Sequence, residues 1–388
     1  MVYMDYASSS PVDPRVIETM IPYFSEKHGN PSSVHQVGRE SFEALEDSRK
    51  KIASLVNAER ADEIVFTSGA TESINLAIKG IAFRQANRGK HIITSAAEHI
   101  STINILKFLS TKGFKITFLP VDEFGFVDPV AVNDAITKET VLISIGYANG
   151  EVGSIQNIGE IGKIARDHGA SFHVDAVAAI GKLNIDVRKE FIDLLSFSSN
   201  DIYGPKGVGA LYIRKGTKIE PAIHGGGQER GLRSGTENLP GIVGFGKAAE
   251  IAMREMEAET ERLTRLRDKL IEGILEKTEK AWLNGHPSKR ISSNANFRFK
   301  YIEGESLVLR LSDFGIAAAT SSACTSKTLE PSHVLLAMGV PAADAQGSLL
   351  LTMGRWTRAE EVEYVIENVP AAVDFLRKLS PLVPQQEV

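Results

Sequence analysis

The chain has 388 residues, with 44 lysines and arginines against 49 aspartates and glutamates, and a formal charge of −5. This length allows two or three domains, or one large domain with a smaller companion. The basic residues are spread along the chain, so the composition does not indicate a nucleic-acid-binding protein. The single cysteine, Cys324, cannot form an intrachain disulfide or a multi-thiolate metal site by itself. The sequence lacks a run of about 18 apolar residues and an N-terminal signal pattern, so we expect a cytoplasmic protein with no membrane segment.

Short apolar runs alternate with longer segments of helical periodicity in the first half of the chain. The runs cover residues 63–67, 91–95, 115–120, 140–145, 171–174, 193–197 and 208–213. Two of the intervening segments, 71–88 and 100–112, are long enough for crossover helices. This alternation predicts an α/β fold with a mainly parallel sheet of about seven strands, covered by helices on both faces.

The pattern changes after a glycine-rich stretch at residues 224–241. A long charged segment at 242–278 has apolar residues at helical spacing and predicts one long helix. Beyond it, predicted strands at 293–299, 316–320 and 348–353 alternate with predicted helices at 306–311, 332–338 and 358–379. We therefore expect a large domain at 13–258 and a small α+β domain, formed by 1–12 and 259–388, that carries Cys324.

Two motifs at strand ends indicate a ligand site. The sequence TSGATES (67–73) follows a strand and opens a helix, so its backbone N–H groups and hydroxyls suit a phosphate, although they also suit a plain helix cap. HVDA (173–176) places Asp175 at the carboxyl edge of the sheet, where it could pair with a protonated pyridine nitrogen or cap the next helix. His99, after another strand, could stack on an aromatic ligand or fill space.

Cys324 lies in a stretch of small and polar residues, TSSACTSKTLEPSH (320–333). Free cysteines are usually buried apolar residues. The polar neighbours here predict an exposed loop instead, and an accessible thiol that ionises is a reactive one. The nine histidines lack the spacing of metal ligands, so a histidine metal site is not expected.

Together these motifs resemble the cysteine desulfurases, the sulfur donors of iron–sulfur cluster assembly. The resemblance covers essentially the whole chain and rests on TSGATES, the Glu98–His99 pair, HVDA, SFSSNDIYGPKGVGALY (196–212), HGGGQERGLRSGTEN (224–238) and SSACTS (321–326). The family is a class V aminotransferase-like group of fold-type-I pyridoxal phosphate (PLP) enzymes and forms homodimers. The resemblance thus implies a large PLP-type domain and a small domain whose cysteine becomes a persulfide.

The resemblance also implies a role for each matching residue. The implied PLP-binding residues are Ala70, Thr71, His99, Asp175, Ser198, Asn200 and Thr236. Ala70, Thr71 and Ser198 match contacts to the phosphate, whereas His99 matches the residue that stacks on the ring and Asp175 the partner of the pyridine nitrogen. Thr236 matches a threonine that the neighbouring subunit lends to the phosphate. Cys324 matches the persulfide cysteine.

The chain departs from the family where the PLP lysine should stand. The family has Ser-Gly-His-Lys, and this chain has Ser-Ser-Asn-Asp at 198–201, so Asp201 replaces the lysine and Asn200 the histidine. An aspartate has no amine and cannot form the Schiff base with PLP. Lys206, a separate lysine of the family, is the nearest alternative amine in the sequence. Three further replacements affect the same ligand: Gly150 and Ala178 replace an Asn and a Gln that contact the PLP phenolic oxygen, and Leu350 replaces the Arg that binds the substrate carboxylate.

These observations leave three hypotheses for the function. In the first, which we favour, Cys324 accepts sulfur from persulfide or sulfide and meets a scaffold protein, while PLP–lysine chemistry is lost; Cys324 could then also ligate a 2Fe–2S cluster shared with the scaffold. In the second, PLP is held non-covalently, and the protein converts L-cysteine to L-alanine with Asp201 or another group as the base. In the third, the protein is a structural dimer partner without sulfur chemistry. All three imply a homodimer that binds neither nucleic acid nor membrane.

Overall fold

The computed structural model describes residues 1–320, 330–381 and 383. The strands within these residues are β1 (Val2–Tyr3), β2 (Ile64–Thr67), β3 (His91–Ser95), β4 (Lys115–Leu119), β5 (Thr140–Gly146), β6 (Ser171–Asp175), β7 (Leu194–Ser198), β8 (Gly209–Ile213), β9 (Ala281–Asn284), β10 (Asn294–Phe299), β11 (Ile316–Ala317) and β12 (Ser348–Thr352). The α-helices are α1 (Pro14–Met20), α2 (Pro22–Ser25), α3 (Gln36–Leu55), α4 (Ala70–Arg84), α5 (Ile100–Ser110), α6 (Pro129–Ala135), α7 (Ile158–Asp167), α8 (Leu239–Lys277), α9 (Gly304–Asp313), α10 (His333–Ala337), α11 (Ala342–Ala345) and α12 (Ala359–Leu379). Short 3₁₀ helices cover Ala61–Glu63, Asn200–Ile202 and Gln228–Gly231.

Strands β2 to β8 form one sheet in the order β2-β8-β7-β6-β5-β3-β4. From β4 to β7 the neighbours pair in parallel, whereas β8 is antiparallel to both β7 and β2. Consequently β2 runs in the same direction as β7. The predicted sheet of seven mainly parallel strands is confirmed, and each predicted strand end lies within one residue of the observed one.

Apart from its edge strand β4, the sheet is buried on both faces, as its apolar runs predict. Successive side chains of a strand point to opposite faces. In β5, Ile143 belongs to the apolar core on one face, and Leu142 belongs to the core on the other face, where it packs with Ile74 and Ile78 of α4. Both strand residues are fully buried. Helices on both faces therefore cover the sheet, which explains the nearly continuous apolar character of its strands.

A second apolar core lies in the small α+β part of the chain. There β9, β10 and β12 form an antiparallel sheet, and β1 pairs with β11 in parallel. The predicted strand at 316–320 is shorter than expected, because only Ile316–Ala317 pair as a strand. Strands β1 and β9 escaped prediction, since runs of two and four residues carry little periodicity.

Helix α8 connects the two cores. Its buried residues up to Ala252 pack in the large core, and from Leu263 onward they pack in the small one. Helix α8 therefore passes from the large core to the small core between Ala252 and Leu263. The predicted domain boundaries themselves stay a prediction. Among the residues that the structure describes, none forms a helix that is both long and apolar enough to cross a membrane.

The direction of the strands decides where a ligand site can form. The carboxyl ends of β2, β3, β5, β6 and β7 meet at one edge of the sheet, because these strands all run the same way. In open α/β sheets this edge is where ligands bind. The two motifs singled out in the sequence, TSGATES and HVDA, follow β2 and end β6.

Candidate active site

A cavity of about 780 Å³ opens at this edge of the sheet. Its volume lies within the range of small-molecule sites. Most of the implied PLP-binding residues line it, together with the residue in place of the lysine: Ala70, Thr71, His99, Asp175, Ser198, Asn200 and Asp201. Thr236 is exposed and does not line the cavity, so its contribution to a neighbouring subunit stays a prediction. Cys324 lies outside the described residues, and its roles as sulfur acceptor and as cluster ligand stay predictions as well.

The N-terminus of α4 provides a cradle for a phosphate. The chain turns at Ser68 and Gly69 between β2 and α4, and the first N–H groups of a helix have no partner within the helix. Gly209 of β8 lies so close that a Cβ on it would be 2.6 Å from the Gly69 Cα. Close backbone packing thus fixes the cradle, while Ala70 and Thr71 face the cavity. This arrangement fits an anion at a positive helix end.

Asp175 lies at the floor of the cavity, at the end of β6. Its side chain is 8% exposed, and the backbone N–H of Val177 donates to its Oδ1 at 3.0 Å. Burial raises the pKa of Asp175 to about 6, and this hydrogen bond opposes the shift only in part. A buried carboxyl without a cation nearby favours a ligand with a positive N–H group, as a pyridinium would supply.

A second buried carboxyl, Glu98, lies beside Asp175. Ser95 Oγ donates to Glu98 Oε1 at 2.7 Å, and the Nε2 of His333 lies 2.9 Å from the Glu98 carbonyl oxygen. Burial raises the pKa of Glu98 to about 7, and the charge of Asp175 adds to the effect. In the sequence Glu98 is evident only as part of a motif. Its burial at the end of β3 becomes evident only in the fold.

Asp201, which the resemblance matches to the family's PLP lysine, lies in the short 3₁₀ helix after β7. The hydroxyl of Ser198 lies within hydrogen-bond distance of Asp201 Oδ2 and, at 3.0 Å, of Asn200 Oδ1. Burial raises the pKa of Asp201, whereas the charge of Lys182 and the Ser198 hydrogen bond lower it. The cavity therefore holds a carboxyl that can take up or release a proton where the family holds an amine.

The other three departures from the family face the same cavity. Gly150, Ala178 and Leu350 all line it. A Cβ on Gly150 would lie 3.8 Å from the Ala178 Cβ. The Asn and Gln side chains that the resemblance implies at these two positions would therefore lie side by side. Leu350 is 7% exposed and lies in β12 of the small sheet. The residues that the resemblance assigns to the phosphate and ring-nitrogen ends of PLP fit that ligand. On the side that the resemblance assigns to the phenolic oxygen, Gly150 and Ala178 offer no amide side chain.

His99 is the N-cap residue of α5, and the capping hydrogen bond fixes the orientation of its ring. Its Nδ1 accepts a hydrogen bond from the Ser101 N–H at 3.2 Å and lies 2.7 Å from Ser101 Oγ. Burial and the neighbouring His333 lower the pKa of His99, which favours a neutral ring. A neutral imidazole that lines the cavity suits the predicted stacking role.

Metal ligands and cations are scarce around the cavity. No group of three or more His, Cys, Asp or Glu side chains suited to a metal occurs in residues 1–320, 330–381 and 383. Among the described residues lining the cavity, Lys182 is the only lysine or arginine. Lys182 belongs to none of the motifs that indicate a ligand site in the sequence. It lies 19 positions before Asp201, and only the fold brings the two together.

Known proteins match this chain over nearly its full length. The family model for aminotransferase class-V matches residues 2–365. A protein named cysteine desulfurase IscS 1 from Archaeoglobus fulgidus is 53% identical over 382 residues, which cover 98% of this chain and 99% of that protein. A cysteine desulfurase IscS from Methanosarcina thermophila is 53% identical over 385 residues, covering 99% and 95%.

Solved structures agree with the fold. A NifS-like protein superposes with a TM-score of 0.91 at 39% identity, covering 97% of this chain and all of that one. A structure described as SspA in complex with cysteine superposes with a TM-score of 0.83 at 36% identity, covering 92% of this chain and all of that one. The resemblance and the fold-type-I architecture implied by the motifs are thus confirmed. This chain belongs to the aminotransferase class-V family.

Proposed function

We propose that this protein is a PLP-dependent cysteine desulfurase that converts L-cysteine to L-alanine and leaves the sulfur as a persulfide on Cys324. One observation carries the proposal: the phosphate cradle, Asp175 and His99 line a single cavity of about 780 Å³. The names of the relatives point to the same activity. They favour an active enzyme over the acceptor without its own PLP chemistry, the hypothesis that the sequence analysis ranked first.

Each residue has a distinct task in this proposal. The N–H groups at Ala70 and Thr71 bind the phosphate at the positive end of α4. Asp175 keeps a proton on the ring nitrogen, because a cation beside it relieves the cost of its buried charge. The ring of His99 covers one face of the cofactor. Bound PLP supplies the electron-withdrawing ring that weakens bonds at the substrate's α-carbon.

Asp201 takes over proton movement from the missing lysine. Asp201 follows Ser198 in the chain and lines the same cavity. Its raised pKa brings it closer to neutral pH, where a general base works best. Asp201 would accept a proton from the substrate and return it to the carbon that becomes the alanine methyl group. Without an amine at position 201, the initial binding of PLP depends on the non-covalent contacts described above.

The sulfur step follows from the balance of atoms. The C–S bond of cysteine breaks, the sulfur forms a bond to the Cys324 sulfur, and the carbon takes a proton to give alanine. Thr320 and Ser332, described residues on either side of the Cys324 stretch, line the cavity and support this role. In this proposal a homodimer in the cytoplasm passes the sulfur to a scaffold protein of iron–sulfur cluster assembly.

The test measures alanine and sulfide with the full-length protein, L-cysteine and added PLP. We expect alanine above the background of free PLP, and its loss in Asp175→Asn. The matched control, Asp167→Asn, changes an exposed carboxyl on α7 and should leave the rate unchanged. Cys324→Ser should abolish the protein-bound persulfide. Alanine at the level of free PLP alone would reject the proposal.

A second candidate rests on the four departures from the family, which all face the cavity. If Asp201, Gly150, Ala178 and Leu350 together prevent turnover, Cys324 would accept the outer sulfur of an external persulfide, whose own thiol leaves reduced. Mass spectrometry of the protein after incubation with a persulfide donor distinguishes the two. Sulfur on Cys324 without alanine formation would favour the acceptor, and an unreactive Cys324 would favour a structural dimer partner. A 2Fe–2S cluster shared with a scaffold stays a prediction of this second candidate.

A further inference from the structure

The cavity contains an amine that its place in the sequence does not reveal. Lys182 is the only lysine or arginine among the described residues that line it. It faces a lining rich in carboxyl groups: Glu72, Glu98, Glu151, Asp175 and Asp201. A single cation in such surroundings is an unusual group to place in a ligand site.

The backbone holds Lys182 beside the position of the missing lysine. Gly181 has φ of 68°, in the left-handed region, and a Cβ on it would lie 2.4 Å from Ile202 Cγ2. The turn that carries Lys182 therefore packs directly on the 3₁₀ helix that carries Asp201. Lys182 and Asp201 line the main cavity together, and they also share a small adjoining cavity of about 10 Å³.

Among the described residues, the amine of Lys182 has no fixed partner. Its Nζ has no hydrogen bond there and no carboxylate oxygen within 4 Å, and Asp201 and Glu259 act on it only through their charge. The nearby carboxylates are already paired: Glu259 accepts from the Tyr203 hydroxyl at 2.5 Å and from Arg355 at 3.0 Å, and Asp201 accepts from Ser198.

Lys206 differs in both respects. Its side chain is exposed, and its Nζ donates to the Ser10 carbonyl oxygen at 3.0 Å. It does not line the cavity. The structure thus disfavours Lys206, the nearest alternative amine in the sequence, as a substitute imine former.

Burial lowers the pKa of Lys182, and the charges of Asp201 and Glu259 oppose this change only in part. Lysines of this kind react readily with carbonyl groups, because the neutral amine is the nucleophile. An uncommitted and largely buried amine next to a bound aldehyde is the arrangement that a Schiff base requires.

We propose that the Nζ of Lys182 is the carbonyl-reactive amine of this cavity and forms a Schiff base with the aldehyde of PLP. The proposal rests on the proposed function, since PLP must bind first. The nitrogen lone pair attacks the aldehyde carbon, a C=N bond replaces the C=O bond, and the oxygen leaves as water with the two amine protons. No oxidant or reductant is consumed.

Borohydride trapping tests the proposal. Borohydride reduces the C=N bond and leaves a phosphopyridoxyl group on the lysine. The full-length protein is loaded with PLP, freed of excess, reduced, digested and analysed by mass spectrometry. We expect the label on the peptide that contains Lys182. Lys182→Arg keeps the positive charge next to Asp201 but cannot form the imine, and should reduce labelling at least tenfold. Lys206→Met, the matched control, should retain it.

The outcomes separate this proposal from the proposed function. Bound PLP is measured independently, as the PLP released when the unreduced protein is denatured. If PLP is bound but Lys182 carries no label, or if Lys182→Arg is labelled as well as the parent protein, the assignment of Lys182 is wrong and the proposed function stands. If no PLP remains bound, both fail. Thermal unfolding of Lys182→Arg shows whether lost labelling reflects lost folding.

Discussion

Asp175 should make the PLP-free protein less stable at neutral pH than its asparagine variant. The carboxyl is 8% exposed, and burial raises its pKa from 3.8 to about 6. Because the pKa in the folded protein is the higher one, folding opposes ionisation of this group. The destabilisation is therefore absent below about pH 3.8 and complete above about pH 6. Asp175→Asn keeps an oxygen for the Val177 N–H but has no charge to bury.

The magnitude follows from the two pKa values. Moving a carboxyl pKa from 3.8 to about 6 makes its ionised form about 3 kcal/mol less favourable in the folded than in the unfolded protein. The cost is almost complete at pH 8, and it is about half as large at pH 5, where most of the folded protein still carries the proton. The stability advantage of Asp175→Asn should therefore grow by about 1 kcal/mol between pH 5 and pH 8.

Urea unfolding of the PLP-free parent and variant at both pH values measures this difference. Comparing the two proteins at each pH removes the contribution of other titrating groups that they share. The variant should also bind PLP more weakly, because it loses the charge that pairs with the ring nitrogen. If the stability advantage of Asp175→Asn were equal at pH 5 and pH 8, the folded protein would not pay for ionising Asp175. The view that this carboxyl is buried to pair with a cationic ligand would then be refuted.

Three further predictions concern the cradle, the substrate and the core. Gly209→Ala places a Cβ 2.6 Å from the Gly69 Cα. The resulting overpacking costs about 1–3 kcal/mol and should lower PLP affinity about tenfold in a PLP titration. The control Gly159→Ala, whose Cβ would have nothing within 4 Å, should leave the affinity unchanged. Leu350→Arg should lower the KM for cysteine about tenfold or more, since a charge-assisted hydrogen bond contributes about 1.5–3 kcal/mol; an unchanged KM would mean that the substrate carboxylate lies elsewhere. Arg49→Met should lower the free energy of unfolding by about 3–5 kcal/mol in urea unfolding, because it removes the two guanidinium nitrogens that lie 2.7 and 2.8 Å from the buried Glu229 carboxylate. The double variant with Glu229→Gln should recover much of that loss.

Much of the architecture could be predicted from local pattern. The strands of the large sheet are buried on both faces and appear as short apolar runs, so their ends were predicted within one residue. Helix α8 was predicted from its periodicity as one long helix, although its passage from one core to the other was not. Strands β1 and β9 are short, and contacts with distant strands stabilise them; their own residues carry too little signal.

The sequence by itself determined the family, because motifs keep residue type and spacing on the chain. It also predicted the phosphate cradle, Asp175 and the replacement of the lysine by Asp201, and these roles stay predictions. The tertiary structure then showed which groups share one cavity. It brings together Gly150, Ala178 and Leu350, which the resemblance had assigned to one ligand. It also placed Lys182 next to Asp201, because Gly181 allows a turn that packs on the 3₁₀ helix. Proximity in the chain had suggested Lys206, whereas proximity in space, which decides reactivity, selects Lys182.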